Sequence, residues 1–267
     1  DNMDTDGFLC GLERLFADNR ISEVERYLTR ALSEAEYESD REAMLAIYNE
    51  LISFHVTMGE YDKALYFCRQ IMRLADKMDM ADTVSYGTTL MNVAKANCAA
   101  GNLLEALAYY RKVKDIYDGQ ISPYDVRFAV YYNNIAQVYQ ELGDYDRAVT
   151  ALEDALRIIE RHENAGREIV TTYANLGESL LRAGRIDEAE DRLREAVRRY
   201  QLKGEHGEHY SAALAALAEV YYRQGNLTDA QKFYELAAAE LYDVYGDSDA
   251  YRVILNNLDT VKAKLLQ

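Results

Sequence analysis

Tyr132-Asn133-Asn134-Ile135-Ala136-Gln137-Val138-Tyr139-Gln140-Glu141-Leu142-Gly143-Asp144-Tyr145-Asp146-Arg147-Ala148-Val149-Thr150-Ala151-Leu152 decides the fold. Tyr132, Ile135, Ala136 and Tyr139 keep the i, i+3, i+4, i+7 spacing of one helix face. Gly143-Asp144 stops that helix, since glycine closes helices in the left-handed conformation. A second apolar stripe follows at Tyr145, Ala148, Val149, Leu152, Ala155, Leu156 and Ile159. The stretch therefore predicts two helices joined by a tight turn, with the small Ala148 where they approach. Residues 161–166 are then polar and turn-rich, a loop before the next unit.

The unit recurs. Gly59, Gly101, Gly143, Gly184 and Gly225 are spaced 42, 42, 41 and 41 residues apart. Five residues after each glycine stands Ala64, Ala106, Ala148, Ala189 or Ala230. Eight before stands Leu51, Val93, Ile135, Leu176 or Leu217, and Leu258 continues that column. Four after each alanine stands Cys68, Tyr110, Leu152, Leu193 or Tyr234. Aligned columns at one period mark a repeat architecture. Residues 5–36 fit a degenerate copy, with Asn19 in the glycine column, Val24 in the alanine column and Leu28 in the large one. Residues 252–267 fit a lone first helix, its outer face covered by polar residues such as Lys262 and Gln267, as a terminal cap should be.

Composition narrows the function classes. The chain has 267 residues, one proline, 14 glycines and a net charge of −16. Scarce proline and glycine favour helices over turn-rich β folds. A chain this long buries about three quarters of its unfolded surface without disulfides or metals. The acidic balance argues against nucleic acid and against an anionic membrane surface, both of which need a positive field. No run of apolar residues is long enough to span a bilayer, and no basic-then-apolar N-terminal segment reads as a secretory signal. Cys10, Cys68 and Cys98, odd in number and widely spaced, predict a reducing cytoplasm. Asp1 and Asn2 precede Met3, where fold reasoning starts.

Tyr132-Asn133-Asn134-Ile135-Ala136, Tyr139, Gly143, Ala148, Leu152 and Ala155 resemble the tetratricopeptide repeat pattern. The period of about 42 exceeds the usual 34, and the proline that normally ends the second helix is missing. Repeats of this length resemble those of kinesin light chains, as do Asn256-Asn257-Leu258 and the loops 204–209 and 246–249. The resemblance implies an all-α fold, an α-solenoid wound as a right-handed superhelix. It would hold about six helix-turn-helix repeats, roughly 5–44, 45–86, 87–128, 129–169, 170–210 and 211–251, and a capping helix at 252–267. The whole of 3–267 is expected to be one domain. Eight extra residues per repeat would lengthen each second helix by ~12 Å.

No catalytic constellation stands out. His55 occupies the column of Tyr139 and Tyr221 and reads as a core histidine. His206 and His209, beside Glu205 and Glu208, have the types but not the helical context of a metal site, and the resemblance gives His209 a capping role. His162 lies in a loop with no evident role. Cys10 and Cys98 are expected to project from first helices and be reachable, and Cys68 to be core. Tyr61, Tyr110, Tyr139, Tyr145, Tyr221 and Tyr234 fall in core columns. The mixed charges over 182–199 read as a solvated, ion-paired helix face. Neither catalytic residues, a metal nor a cofactor is expected.

Stacked first helices would line a concave groove, the surface on which the resembled repeats bind peptides. Nine residues before each glycine stand Glu50, Asn92, Asn134, Asn175 and Ala216, then Asn257. The neighbouring column holds Asn49, Met91, Asn133, Ala174, Ala215 and Asn256. Six before glycine stand Ser53, Lys95, Gln137, Glu178 and Glu219. Three and two before stand Cys98, Gln140, Glu141, Leu181, Arg182, Tyr222 and Arg223. The candidate peptide-binding residues are Asn49, Asn92, Lys95, Asn133, Asn134, Gln137, Asn175, Glu178, Arg182, Glu219, Tyr222, Arg223 and Asn257.

A carboxamide offers donor and acceptor together and can pair with any extended peptide backbone, as such asparagines do in the resembled family. The same asparagines could instead bond to the adjacent repeat. Asn134 and Asn175 are the better candidates for ligand. Some family members grip a C-terminal carboxylate with paired Lys and Arg. Here only Asn92, Lys95 and Asn134 match that set, with Gln137 and Glu141 in place of the cations. The expected function is a non-catalytic scaffold or adaptor for an unidentified protein or extended peptide. Alternatives are a bacterial peptide-sensing regulator and a self-associating, homo-oligomeric scaffold.

Overall fold

The computed structural model describes residues 3–162 and 166–267, so the middle of the expected loop, 163–165, lies outside the described residues, as do Asp1 and Asn2. The chain divides into two compact units, Asp1–Pro123 and Tyr124–Gln267. The first holds α1 (Thr5–Ala17), α2 (Ile21–Tyr37), α3 (Arg41–Thr57), α4 (Tyr61–Lys77), α5 (Val84–Ala99) and α6 (Leu103–Tyr117). The second holds α7 (Val126–Glu141), α8 (Tyr145–Ile159), α9 (Gly166–Arg182), α10 (Ile186–Lys203), α11 (Glu208–Arg223), α12 (Leu227–Tyr245) and α13 (Asp249–Leu265). The fold is all-α: six helix pairs and a final single helix among the described residues. Within each unit every helix packs on its neighbour in sequence, and α3 on α5 and α9 on α11 join successive first helices.

One turn closes every pair. Gly59, Gly101, Gly143, Gly184 and Gly225 all have φ between 73° and 87°, and Asn19 in the degenerate copy has φ 56°. The next residue's N–H reaches back to the carbonyl five residues earlier. Asp144 N–H donates to Tyr139 O at 2.8 Å, Asn102 N–H to Asn97 O at 2.8 Å, and Arg20 N–H to Leu15 O at 2.8 Å. The glycine N–H bonds one step inside, as Gly143 N–H does to Gln140 O at 3.0 Å. These are Schellman closures, which satisfy the last carbonyls of the first helix while redirecting the chain. Asparagine serves at Asn19 because it tolerates the left-handed region best after glycine.

The repeat columns are the core. Val24, Ala64, Ala106, Ala148, Ala189 and Ala230 are all 0 % exposed. Leu28, Cys68, Tyr110, Leu152, Leu193 and Tyr234 are buried beside them, as are Leu51, Val93, Ile135, Leu176, Leu217 and Leu258 on the first helices. A full-sized apolar side chain buried in this way contributes roughly 1.5–3 kcal/mol. At Gly177 of α9 the helices touch. A β-carbon there would lie 2.5 Å from Leu193 Cγ and 2.7 Å from Leu193 Cδ2 of α10.

Helix length departs from expectation. The extra residues of the 42-residue period are not confined to the second helices. From α3 on, the first helices run to 16 or 17 residues and the second to 15–19. Asp40, Thr83, Asp125 and Ser248 cap α3, α5, α7 and α13 with side-chain bonds to first-turn N–H groups, which fixes where those helices begin.

Some buried and exposed positions also differ from expectation. Tyr61 is 40 % exposed, and Tyr139 and Tyr145 are half-buried, although their columns predict core positions. Tyr61 and Tyr145 are the first residues of α4 and α8, at the edge of the turn where packing ends. Cys98, expected within reach, is buried, while Cys10 is exposed and Cys68 lies in the core. Cys98 is buried because α5 has neighbours on almost every side, ten of its sixteen residues being buried.

A first-helix face of paired and unpaired carboxamides

The expected groove residues stand on first helices in both units, and their hydrogen bonds divide them. In the first unit Asn92 Nδ2 of α5 donates to Asn49 Oδ1 of α3 at 2.8 Å. In the second, Asn133 Nδ2 of α7 donates to Thr172 Oγ1 of α9 at 3.0 Å and to Ala129 O of its own helix at 3.2 Å. Thr172 Oγ1 lies 2.7 Å from Glu168 O and donates there, so it accepts from Asn133. Gln140 Nε2 reaches Ser179 Oγ of α9 at 2.6 Å. Thr172 and Ser179 are completely buried. The Asn92–Asn49, Asn133–Thr172 and Gln140–Ser179 bonds join first helices of successive pairs, and they satisfy polar groups that burial would otherwise leave costly.

Charge is paired at the next step. Glu219 of α11 accepts from Arg182 Nη1 of α9 at 3.2 Å and from Arg223 Nη2 of its own helix at 3.0 Å. Arg223 Nη1 also reaches Leu181 O at 3.4 Å. The two guanidiniums expected to hold a ligand carboxylate therefore share one already in the fold. Tyr222 is half-buried under the Lys264 ammonium of α13, 4.7 Å from the ring centre.

The other candidates are unpaired. Asn134 on α7 and Asn175 on α9 are half-buried, and no hydrogen bond joins either carboxamide to another described residue; since no buried side-chain polar atom lacks a partner, their polar atoms reach solvent. Gln137 and Glu178, one turn further along each helix, are exposed and likewise unpaired, as are Lys95 in the first unit and Asn257 on α13. Glu50, in the same column as Asn92, is half-buried. Burial, and then the charge of Glu13, pushes its carboxyl above the usual carboxylate range.

Among the described residues no group of three or more His, Cys, Asp or Glu side chains is placed to hold a metal ion. His55 is a core histidine, 1 % exposed, stacked on Phe67 with ring centres 5.6 Å apart. Its Nδ1 lies 3.2 Å from Glu60 Oε1. His206 Nδ1 lies 3.0 Å from Glu240 Oε1, which also accepts the Gly207 N–H at 2.7 Å. His209 does not cap α11. The cap position is Gly207, at φ 124°, and His209 already lies within the first helical turn. His162 Nε2 is 2.7 Å from Tyr124 O. Burial pushes the Cys68 thiol up to about 12. The charged stretch is ion-paired as expected, through Arg185–Glu188, Arg194–Glu190, Arg198–Glu195 and Arg199–Glu195.

Sequence reasoning missed Thr172 and Ser179, the acceptors that occupy Asn133 and Gln140. They sit two positions off their partners' columns, and only the stagger between helices brings them together. No described helix is long and apolar enough to cross a membrane.

Comparison with known proteins gives this geometry a lineage. The tetratricopeptide repeat family matches residues 43–119, 79–161, 127–202 and 168–239. No curated protein sequence matches the chain. Among solved structures, BtubC (BKLC) from P. vanneervenii is 19% identical, covering 92% of each chain, with a TM-score of 0.67. The apo form of RapI is 12% identical over 98% of this chain and 72% of its own, with a TM-score of 0.75. PH0952 of Pyrococcus horikoshii, a signal transduction ATPase with a tetratricopeptide repeat sensor, is 16% identical over 96% of this chain and 38% of its own, with a TM-score of 0.71. With matched segments running from 43 to 239 and helix pairs closed by one recurring turn, the chain belongs to the tetratricopeptide repeat family.

Proposed function

We propose that the protein is a non-catalytic scaffold that takes an extended protein segment on its first-helix face, with Asn134 and Asn175 of the second unit as the backbone-binding residues. One observation carries this reading. Asn49, Asn92 and Asn133 are occupied by neighbouring repeats, whereas Asn134 and Asn175 present half-buried carboxamides with no described partner. A carboxamide held in place by packing loses little freedom on binding and offers both a donor and an acceptor to a peptide unit. Gln137 and Glu178 stand one turn away on the same helices, where side chains of the bound segment would extend. Glu178 favours a Lys or Arg there. Three free thiols accord with a cytoplasmic setting.

The test compares capture from source-cell lysate by the wild type, Asn134→Ala/Asn175→Ala and Asn49→Ala/Asn92→Ala, read by mass spectrometry. A partner retained by wild type and at least tenfold depleted by the first variant, whose melting temperature is unchanged, is the expected result. Equal retention by that variant would count against the reading. A peptide-sensing role is the second reading, supported by the likeness to the sensor repeats of PH0952. It requires a short peptide to bind and change the protein's hydrogen-exchange pattern beyond the contact residues.

A further inference from the structure

Away from the first-helix face, the first unit contains a pocket of about 380 Å³ where α4, α5 and the start of α6 meet. Arg69 and Arg73 of α4 line it, four residues apart and so on one helix face. Asn97 and Asn102 are among its other polar lining residues, and Met72 and Tyr109 are among its apolar and aromatic ones. No carboxylate lines it. Neither guanidinium forms an ion pair with a described residue, whereas Arg20, Arg127, Arg147, Arg157, Arg185 and Arg198 each hold a nearby carboxylate. Arg26 and Arg30 of α2 are likewise four apart and in no ion pair with a described residue, but Glu25 lines the pocket beside them. Like charges at this spacing repel each other.

The two asparagines are held in place. Asn97 is 9 % exposed, donates from Nδ2 to Val93 O at 2.9 Å, and accepts at Oδ1 from Asn102 Nδ2 at 3.3 Å. Asn102 precedes α6 and makes no side-chain cap to it. Cys68 also lines the pocket and feels the charge of Arg69. That charge draws the Cys68 thiol downward against the larger upward effect of burial.

We propose that this pocket binds a phosphomonoester dianion, with Arg69 and Arg73 each donating to its oxygens and the apolar body of the ligand lying against Met72 and Tyr109. Arginine forks match phosphate oxygens in geometry, and two of them balance the two charges a phosphomonoester carries above its second pKa of about 6. A carboxylate would leave one guanidinium uncompensated. The ligand is either a free phosphorylated small molecule or a phosphorylated side chain of a partner, and both share this group.

Titration calorimetry at pH 7.5 tests it, with inorganic phosphate, phenyl phosphate, benzoate and a phosphotyrosine peptide as probes. Phenyl phosphate should bind one to one, more tightly than inorganic phosphate or benzoate. R69Q and R73Q should each weaken it at least tenfold, and R69K/R73K, which keeps the charge but not the forks, by an intermediate factor. R26Q/R30Q, which removes a similar arginine pair on α2, should change nothing. A peptide that binds tenfold more tightly than phenyl phosphate would make a modified protein the source. Equal affinity would make it a free phosphomonoester. Absence of heat with phenyl phosphate at millimolar concentration, or equal binding by well-folded R69Q/R73Q, would overturn the proposal.

Discussion

Asn92 and Asn49 join through a single amide–amide hydrogen bond of 2.8 Å between α5 and α3, so two asparagines in the most suggestive columns are partners of each other. The bond binds one helix pair to the next and leaves less of either side chain for a ligand. Their substitution should therefore be felt in stability. Asn92→Ala and Asn49→Ala should each cost about 1 kcal/mol. The double variant should cost less than the sum, because the second substitution removes a partner already lost. A double-mutant cycle from urea melts checks this, and strict additivity would show that the bond contributes nothing.

Asn134→Ala and Asn175→Ala should behave in the opposite way. With no described partner to lose, each should change stability by about 0.5 kcal/mol or less. A drop of several degrees in melting temperature for either would indicate that the carboxamide supports the fold.

Gly177 faces Leu193 so closely that Gly177→Ala should destabilise by about 1–3 kcal/mol, although alanine is the better helix former. Leu193 Cγ lies 2.5 Å from where the new carbon would stand. Leu193→Ala combined with Gly177→Ala should cost less than the two single changes added together. Thermal unfolding of the three variants decides it.

The Cys68 thiol, pushed up to about 12 by burial, stays protonated at neutral pH. The thiolate is the reactive form, so iodoacetamide at pH 7.5 should alkylate Cys10 quickly and leave Cys68 and Cys98 intact until the protein unfolds. Mass spectrometry after a short exposure should find one adduct. A second adduct on the native protein would contradict the burial described here.

Asp125 caps α7, accepting from the Arg127 N–H at 2.9 Å and from its guanidinium at 2.8 Å. That side-chain bond, ahead of the opposing effect of burial, holds its carboxyl down to about 2. A folded value below the unfolded one means that the stabilisation is complete above about pH 4 and fades as pH falls through about 2. Asp125→Ala should cost about 1–2 kcal/mol at neutral pH, for cap and charge together, and much less near pH 2. Equal costs at both pH values would assign the effect to the helix cap alone.

The sequence showed the helix pairs because the turn needs a particular backbone angle and the core needs particular sizes. Both leave residue types at fixed spacing, as Gly143, Ala148 and Leu152 do. Even Asn19 and Val24, neither of them the usual residue, were legible by position. Partner choice on the first-helix face was not. Asn49 meets a residue 43 positions on, Asn133 and Gln140 meet residues 39 on, and Arg182 one 37 on. That drift follows the stagger of successive helices, which packing sets and no single column records. The burial of Cys98 is hidden for the same reason: a helix with neighbours on several sides buries positions that an isolated pair would expose. Arg69 and Arg73 carry no signal in the sequence, because two arginines on a polar helix face have the pattern of a solvated surface whether or not a pocket lies beside them.

The turn that closes each pair makes its hydrogen bonds through main-chain atoms and asks for one residue with a left-handed backbone. What holds a pair together is thus almost independent of what its outward side chains say to other molecules. A block of 41 or 42 residues could be duplicated or exchanged in register, carrying its own surface vocabulary, while the joint stays the same. Such a chain can acquire a new partner by rewriting a few letters on a first helix, with no change to the grammar beneath.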